Sequence, residues 1–241
     1  MLGAPRRGCD NIAIMEKAKV WLAALVGMGF ALSVSAAPSD MAARVKACAG
    51  CHGDEGRSLR EGHYPSIAGK PAGYLWQQLL NFRDNRRSHA VMQQMLAYLS
   101  DDYLLAIAEY YEAQTPPVVT PTSTESEQVL AHGRRLVEVG DTARGIPACS
   151  ACHGDDLLGS KPAIPGLIGL PRDYLSAQMG AWRSGVRQAA APDCMARIVD
   201  ALSESDITAA TAWIASRPSF PDQGPAEQAP SSLPMECGGV P

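Results

Sequence analysis

The chain has 241 residues, of which 46% are hydrophobic and 19% are charged, with a formal net charge of −4 at pH 7. This composition is ordinary for a globular protein, and the length allows one large or two small domains. An acidic chain without a cluster of Lys and Arg is a poor candidate for binding nucleic acid.

An export signal is predicted at residues 1–36. Lys17 and Lys19 precede the apolar run Val20–Leu32, and the small residues that a signal peptidase recognises follow at Val34-Ser35-Ala36. We expect cleavage after Ala36, which removes four basic and two acidic side chains and changes the formal charge from −4 to −6. The alternative is an uncleaved anchor, since an uncharged stretch of about 17 residues reaches the lower limit for a bilayer span.

Two copies of the pattern CxxCH follow, at 48–52 and 149–153. Two thiols separated by two residues can add to the two vinyl groups of one porphyrin, and a histidine directly after them falls beneath the iron. Each copy therefore predicts a covalently attached haem c. Such attachment occurs outside the cytoplasm in bacteria, so the motifs and the export signal support each other. The export signal, together with the matched methionines described below, disfavours a zinc site at the same cysteines. The predicted attachment residues are Cys48, Cys51, His52, Cys149, Cys152 and His153.

The chain repeats itself around the two motifs. Residues 64–75 align with 164–175, where prolines, a glycine, a tyrosine and a leucine recur. Apolar residues at helical spacing predict, in each half, a short helix before CxxCH, a Pro- and Gly-rich loop, a middle helix, another loop and a closing helix. We expect Ser100 and Ser203 to cap the closing helices, since acidic residues follow both. No strand pattern competes, so the predicted fold class is all-α.

The repeat also selects a second axial ligand in each half. His89, Met92 and Met95 precede the first closing helix, whereas the equivalent loop of the second half offers only Met195. Met92 and Met195 each lie eight residues before their capping serine, while Met95 aligns with an isoleucine and His89 with a proline. A lone methionine usually fills a core, but this matched position favours ligation and leaves Met95 for packing. With both axial positions occupied, the pattern favours electron transfer over catalysis.

The order of these landmarks resembles that of cytochrome c4, a dihaem protein. The similarity covers roughly residues 45–115 and 130–217 and includes CxxCHG, YPxIAGxPxxYLxxQL, an Arg-containing helix end, the methionine and a later LSD. It implies two tandem class I cytochrome c domains, each wrapped around one covalently bound haem. It assigns the haem thiols to Cys48, Cys51, Cys149 and Cys152, the histidine ligands to His52 and His153, and the methionine ligands to Met92 and Met195.

On this basis we expect a signal peptide at 1–36, a first cytochrome domain at 37–117 and a linker at 118–128. A second cytochrome domain is expected at 129–218, and a Pro- and Gly-rich tail at 219–241.

The resemblance also implies a periplasmic electron carrier rather than an enzyme. Its expected partners are redox proteins: a donor dehydrogenase or quinol-oxidising complex, and an acceptor such as a terminal oxidase. The carrier would be soluble or peripheral at the membrane, or a dedicated subunit of a periplasmic dehydrogenase. The enzymatic alternative is a dihaem peroxidase or a thiosulfate-oxidising dihaem enzyme, which needs an iron with a labile or absent sixth ligand.

Several further residues carry weaker expectations. The carbonyls of Pro65 and Pro165 are placed to accept a proton from the ligand histidines. His63 and His132 have no partner in the repeat, so surface positions are expected for them. Gln78, Phe82, Arg83 and Arg87 match Gln178, Trp182, Arg183 and Arg187. Two roles remain equally open for Tyr74, Tyr174, Arg83 and Arg183. They could lie beside a haem or its propionates, or they could hold packing positions that the two repeats share.

Two cysteines depart from the cytochrome c4 pattern. Cys194 and Cys237 remain in the mature chain beyond the haem thiols, whereas Cys9 would be removed with the signal peptide. In an oxidising compartment two leftover cysteines are most simply a disulfide. We therefore expect a bond that ties the tail beside the Met195 loop.

Overall fold

The computed structural model describes residues 41–58, 64–121, 124–220 and 222–240, so the predicted signal peptide and His63 lie outside the described residues. The described residues belong to one compact unit. Among the described residues, no helix has the length and apolar character needed to cross a bilayer. The helices are α1 (Met41–Arg44), α2 (Lys46–His52), α3 (Ala72–Arg83), α4 (Ala90–Leu96), α5 (Asp101–Glu112), α6 (Glu127–Glu138), α7 (Ser150–His153), α8 (Arg172–Arg183), α9 (Cys194–Ala201) and α10 (Glu204–Ala215).

The closing helices α5 and α10 begin where their serines predict. The Ser100 side chain accepts a hydrogen bond from the backbone N–H of Tyr103. Ser203 forms a full capping box with Asp206, in which each side chain accepts from the other residue's backbone N–H. The caps satisfy N–H groups that a helix terminus otherwise leaves unpaired.

The methionine segments differ from expectation, because both form helices rather than loops. His89 caps α4 by accepting from the N–H of Met92, and Asp193 caps α9 by accepting from the N–H of Ala196. A histidine is not a favoured N-cap, which explains why the sequence pattern did not reveal α4. Each predicted ligand therefore lies in the first turn of a short helix that fixes its direction.

A small strand pair also forms where none is predicted. Strand β1 (Gly159–Ser160) pairs antiparallel with β2 (Ile164–Pro165). Runs of two residues are too short to show an alternating pattern in the sequence. The pair turns the chain so that Pro165 returns beneath α7.

Each half contains its own hydrophobic core. The first consists of Val45, Leu75, Leu96, Leu104, Ile107, Ala108 and Tyr111. The second consists of Val137, Leu157, Leu170, Tyr174, Leu175, Ala210 and Ile214. Helix α5 buries four residues in the first core, and α10 contributes Ala210 and Ile214 to the second. The residues of the two cores lie on either side of residues 118–128.

Helices α6 and α10 cross at a very close approach. Gly133 of α6 lies directly against the carbonyl of Ala209, and a Cβ at this glycine would collide with that oxygen. Asp206 of α10 stabilises this crossing. Its carboxylate accepts hydrogen bonds from His132 of α6 at 2.8 Å and from Arg144 at 2.7 Å. His132 is therefore a hydrogen-bond partner of a buried carboxylate rather than a plain surface residue.

Candidate haem sites

The two CxxCH histidines occupy equivalent positions. Nδ1 of His52 lies 3.0 Å from the carbonyl oxygen of Pro65, and Nδ1 of His153 lies 2.8 Å from that of Pro165. Because a carbonyl can only accept, Nδ1 carries the proton in both rings and Nε2 keeps its lone pair. This is the tautomer that a metal-binding imidazole needs, and the bond fixes the orientation of the ring. The predicted contact of each proline carbonyl is confirmed.

The same turn holds both proline segments in place. The N–H of Ile67 donates to the carbonyl of Gly56 at 2.8 Å, and the N–H of Leu167 donates to that of Leu157 at 2.8 Å. Gly56 and Leu157 both have positive φ angles, 77° and 60°. Glycine adopts this conformation freely and leucine at a cost, so the second half keeps the turn despite an unfavourable residue.

Burial sets the electrostatics of both histidines and their cysteines. It lowers the pKa of His52 and of His153 below the usual value, although the proline carbonyls partly oppose this effect. It raises the pKa of Cys48, and it raises the pKa of Cys149 to about 11. Neutral imidazoles and uncharged thiols are the forms expected in an apolar chamber.

All eight predicted haem-binding side chains line one continuous cavity of about 740 Å³ to which both halves contribute. These are Cys48, Cys51, His52, Met92, Cys149, Cys152, His153 and Met195. The four motif cysteines form no disulfide. The cavity is large and mainly apolar, and its wall carries cysteine thiols, imidazoles with an unprotonated Nε2, and thioether sulfurs. This lining fits two covalently bound haems.

The arginines at the ends of α3 and α8 have structural partners. Arg83 binds Asp101 at 2.6 Å and the carbonyl of Leu99 at 3.1 Å, while Arg183 donates to the carbonyls of Val199 and Leu202. Arg83 thus ties α3 to the start of α5, and Arg183 ties α8 to the end of α9, so the packing interpretation is favoured over a role at the propionates. Met95 is 40% exposed and lies at the cavity rim instead of in the core.

A hydrogen-bond network of matched glutamines and arginines joins the two halves. Gln178 Oε1 accepts from Arg87 at 2.6 Å and from Arg187 at 2.8 Å, and Gln78 Oε1 accepts from the same arginines at 2.9 and 3.2 Å. Arg87 also donates to the hydroxyl of Tyr174 at 3.2 Å. These side chains line the cavity, and their matched positions were the only sequence signal for them.

The backbone joins the halves at the same place. The N–H of Ser88 donates to the carbonyl of Val186 at 2.9 Å, and the N–H of Gln188 donates to that of Arg86 at 2.7 Å. Arg87 and Arg187 face each other in this antiparallel bridge. The equivalent segment of each half thus contacts its own copy.

The predicted disulfide is confirmed. Cys194 and Cys237 are bonded, with their Cα atoms 5.0 Å apart. This bond fastens the C-terminal tail to the first residue of α9, directly before Met195.

Comparison with known proteins identifies the family. No protein-family model matches the chain. A thiosulfate dehydrogenase electron acceptor from Stutzerimonas stutzeri is 37% identical over 169 residues, covering 70% of this chain and 78% of the relative. Cytochrome c4 from Pseudomonas aeruginosa is 31% identical over 200 residues, covering 81% of this chain and 97% of the relative.

Solved structures agree with these relatives. The structure of reduced cytochrome c4 from Pseudomonas stutzeri superposes with a TM-score of 0.63 at 29% identity, covering 72% of this chain and 94% of the other. The fold is therefore that of an all-α class I cytochrome. The chain belongs to the cytochrome c4 family of dihaem electron-transfer proteins and carries two covalently attached haem c groups.

Proposed function

We propose that the chain is a periplasmic carrier that passes single electrons from a donor dehydrogenase or quinol-oxidising complex to a terminal oxidase or another acceptor. His52 and Met92 would hold one iron, and His153 and Met195 the other. The observation that carries this proposal is the twofold recurrence of one arrangement: a motif histidine oriented by a proline carbonyl, and a methionine in the first turn of a capped helix, on the wall of one cavity.

The protein's own groups would set the reduction potential of each haem. The chemistry supplied by each bound haem is the gain and loss of one electron at the iron. The proline carbonyls keep the imidazole rings oriented and strengthen their donation to a metal. Thioether sulfur favours reduced iron and so raises the reduction potential. If a histidine and a methionine held each iron, no position would remain for a substrate, which would argue against the peroxidase and the thiosulfate-oxidising enzyme.

The donor is proposed more specifically as a dehydrogenase that oxidises a reduced sulfur compound. A relative with 37% identity is a thiosulfate dehydrogenase electron acceptor. That name describes the relative, and it makes such an enzyme the first donor to test here.

The test uses the purified holoprotein. Ferric protein should show the weak near-infrared band of methionine bound to haem, and the reduced protein should bind carbon monoxide poorly. Absence of the band at both sites, together with ready carbon monoxide binding, would favour the enzymatic alternative. For the donor, a thiosulfate dehydrogenase with thiosulfate should reduce both haems, whereas thiosulfate alone should not.

A further inference from the structure

The end of the tail lies along the cavity, with alternating burial as far as Gly239, and closes in a turn where the N–H of Val240 donates to the carbonyl of Cys237 at 3.1 Å. Leu233, Met235, Cys237 and Gly239 line the cavity, while the residues between them are exposed. We call residues 233–240 the strap.

The strap is fastened at several points beside the second methionine. In addition to the disulfide with Cys194, the N–H of Gly238 donates to the carbonyl of Pro192 at 2.9 Å. Gly238 packs so closely on the backbone of Ala191 that a Cβ would collide with its carbonyl. The strap therefore lies in direct contact with the segment that leads into α9.

Two further contacts secure the tail at its ends. The side-chain amide of Gln77, in the first half, donates to the carbonyl of Gly239 at 2.5 Å. Upstream, Ala226 exchanges backbone hydrogen bonds with Gly159 and Lys161 at 3.0 and 2.8 Å. The tail is thus held at Ala226 beside the strand pair of the second half, and the strap is held at Gly239 by helix α3 of the first.

The first half has no such cover among the described residues. Val91 stands at the position equivalent to Cys194 and is 54% exposed, and Met95 is 40% exposed. Ile198, the residue of the second half that is equivalent to Met95, is only partly exposed. The two methionine helices are therefore alike in position but unlike in their access to solvent.

We infer that the strap closes the methionine side of the second haem site to external ligands and redox partners, while the methionine side of the first site stays open. The inference rests on the proposed ligation by Met92 and Met195. An apolar cover over a redox site controls solvent access and the contact of other molecules with it. Electrons would then enter or leave preferentially through the first haem.

Imidazole is a suitable probe, because it displaces methionine from ferric haem and abolishes the near-infrared band. A Met92→Ala background leaves a band from the second site alone, and a Met195→Ala background leaves one from the first. In the Met92→Ala background, removal of residues 233–241 should accelerate imidazole binding at least tenfold. In the Met195→Ala background the same truncation should leave the rate unchanged.

Two further variants keep the test independent of folding defects. The double change Cys194→Ser and Cys237→Ser releases the strap without shortening the chain and should also accelerate binding at the second site. Glu236→Gln alters an outward-facing strap residue and should not. If neither truncation nor disulfide removal changes the rate of imidazole binding at the second site, the strap inference alone is contradicted. If the near-infrared band is absent in both backgrounds, the ligand assignment is contradicted, and the strap inference with it.

Discussion

At the scale of single residues, the hydrogen bonds that orient the two motif histidines cannot be removed by substitution of the prolines. The acceptors at Pro65 and Pro165 are backbone atoms, so any residue there retains the oxygen that orients the histidine. What the proline adds is a fixed φ and a missing N–H, which stabilise the turn. The methionine side is therefore the more informative target.

Met92→Ala should reduce the near-infrared band of the ferric protein by about half and lower the potential of one haem, because a thioether favours reduced iron. Potentiometry with absorption spectroscopy measures both effects. Met95→Leu is the matched control, since this side chain lies at the rim. Loss of the band in the Met95 variant and its retention in the Met92 variant would reverse the assignment.

Lys70 places a positive charge from the first half beside the second site. Its ammonium donates to the carbonyl of Gly166 at 2.8 Å, next to the proline that orients His153. Burial lowers the pKa of Lys70 to about 8, so the side chain remains largely charged at pH 7. The equivalent residue of the second half is the apolar Leu170. The first site thus lacks the matching charge.

Lys70→Met should lower the potential of one haem by an amount on the order of tens of millivolts, since a nearby cation disfavours the more positive oxidised iron. Lys70→Arg keeps the charge and should largely preserve the potential. Spectroelectrochemical titration resolves the two haems. Equal shifts in both variants would show that packing, and not charge, is responsible.

At the scale of helices, Asp206 joins three elements through one carboxylate. Burial opposes its ionisation, but hydrogen bonds from Arg144, Ser203 and His132 outweigh burial and hold the pKa of this carboxyl well below its usual range. Stabilisation from such a group is present above the unfolded pKa of about 4 and is lost as the pH falls toward the folded value.

Asp206→Asn should therefore lower the free energy of unfolding by about 2 kcal/mol at pH 7, since it removes charge-assisted hydrogen bonds and half of a capping box. The difference from the unsubstituted protein should shrink below about pH 4. Denaturant unfolding followed by circular dichroism measures it. Glu204→Gln, an exposed carboxylate in the same helical turn, should change stability little at either pH.

Some helices could be predicted from the sequence and others could not. Ser100 and Ser203 revealed α5 and α10 because serine before acidic residues is a strong N-terminal signal. Helices α4 and α9 were missed because a run of seven or eight residues shows little periodicity, and histidine is an uncommon cap. The eight site residues could be proposed from spacing alone, because covalent attachment requires a fixed motif and duplication supplied an internal comparison.

At the scale of the whole molecule, the contact between halves lay beyond sequence reasoning. Similarity between repeats constrains the fold of each half but not the face that each presents to the other. The arginines Arg87 and Arg187 were recognised as matched, yet nothing in the repeat indicated that they meet across one interface. For the tail, the sequence predicted the bond between Cys194 and Cys237 but not the contacts of Gly238 with Pro192 and of Gly239 with Gln77.

The interface should depend strongly on Gln178, because its oxygen accepts from both arginines and Arg187 is only 6% exposed. Gln178→Leu leaves buried donors with fewer acceptors and should destabilise the protein by about 1 to 3 kcal/mol. Gln188→Leu, at an exposed interface position, is the control. Thermal unfolding and limited proteolysis between the halves measure the effect, and equal behaviour of the two variants would argue against the network.

The bridge between Arg87 and Arg187 has the geometry of an isologous contact, in which the same segment meets its own copy. Two identical subunits joined in this way would have to carry every change at both sites. Linking the copies into one chain removes that constraint, so a cysteine and a strap can modify one site while the other keeps its original surface. Joining the copies thus allows two haem sites of common design to take unequal roles.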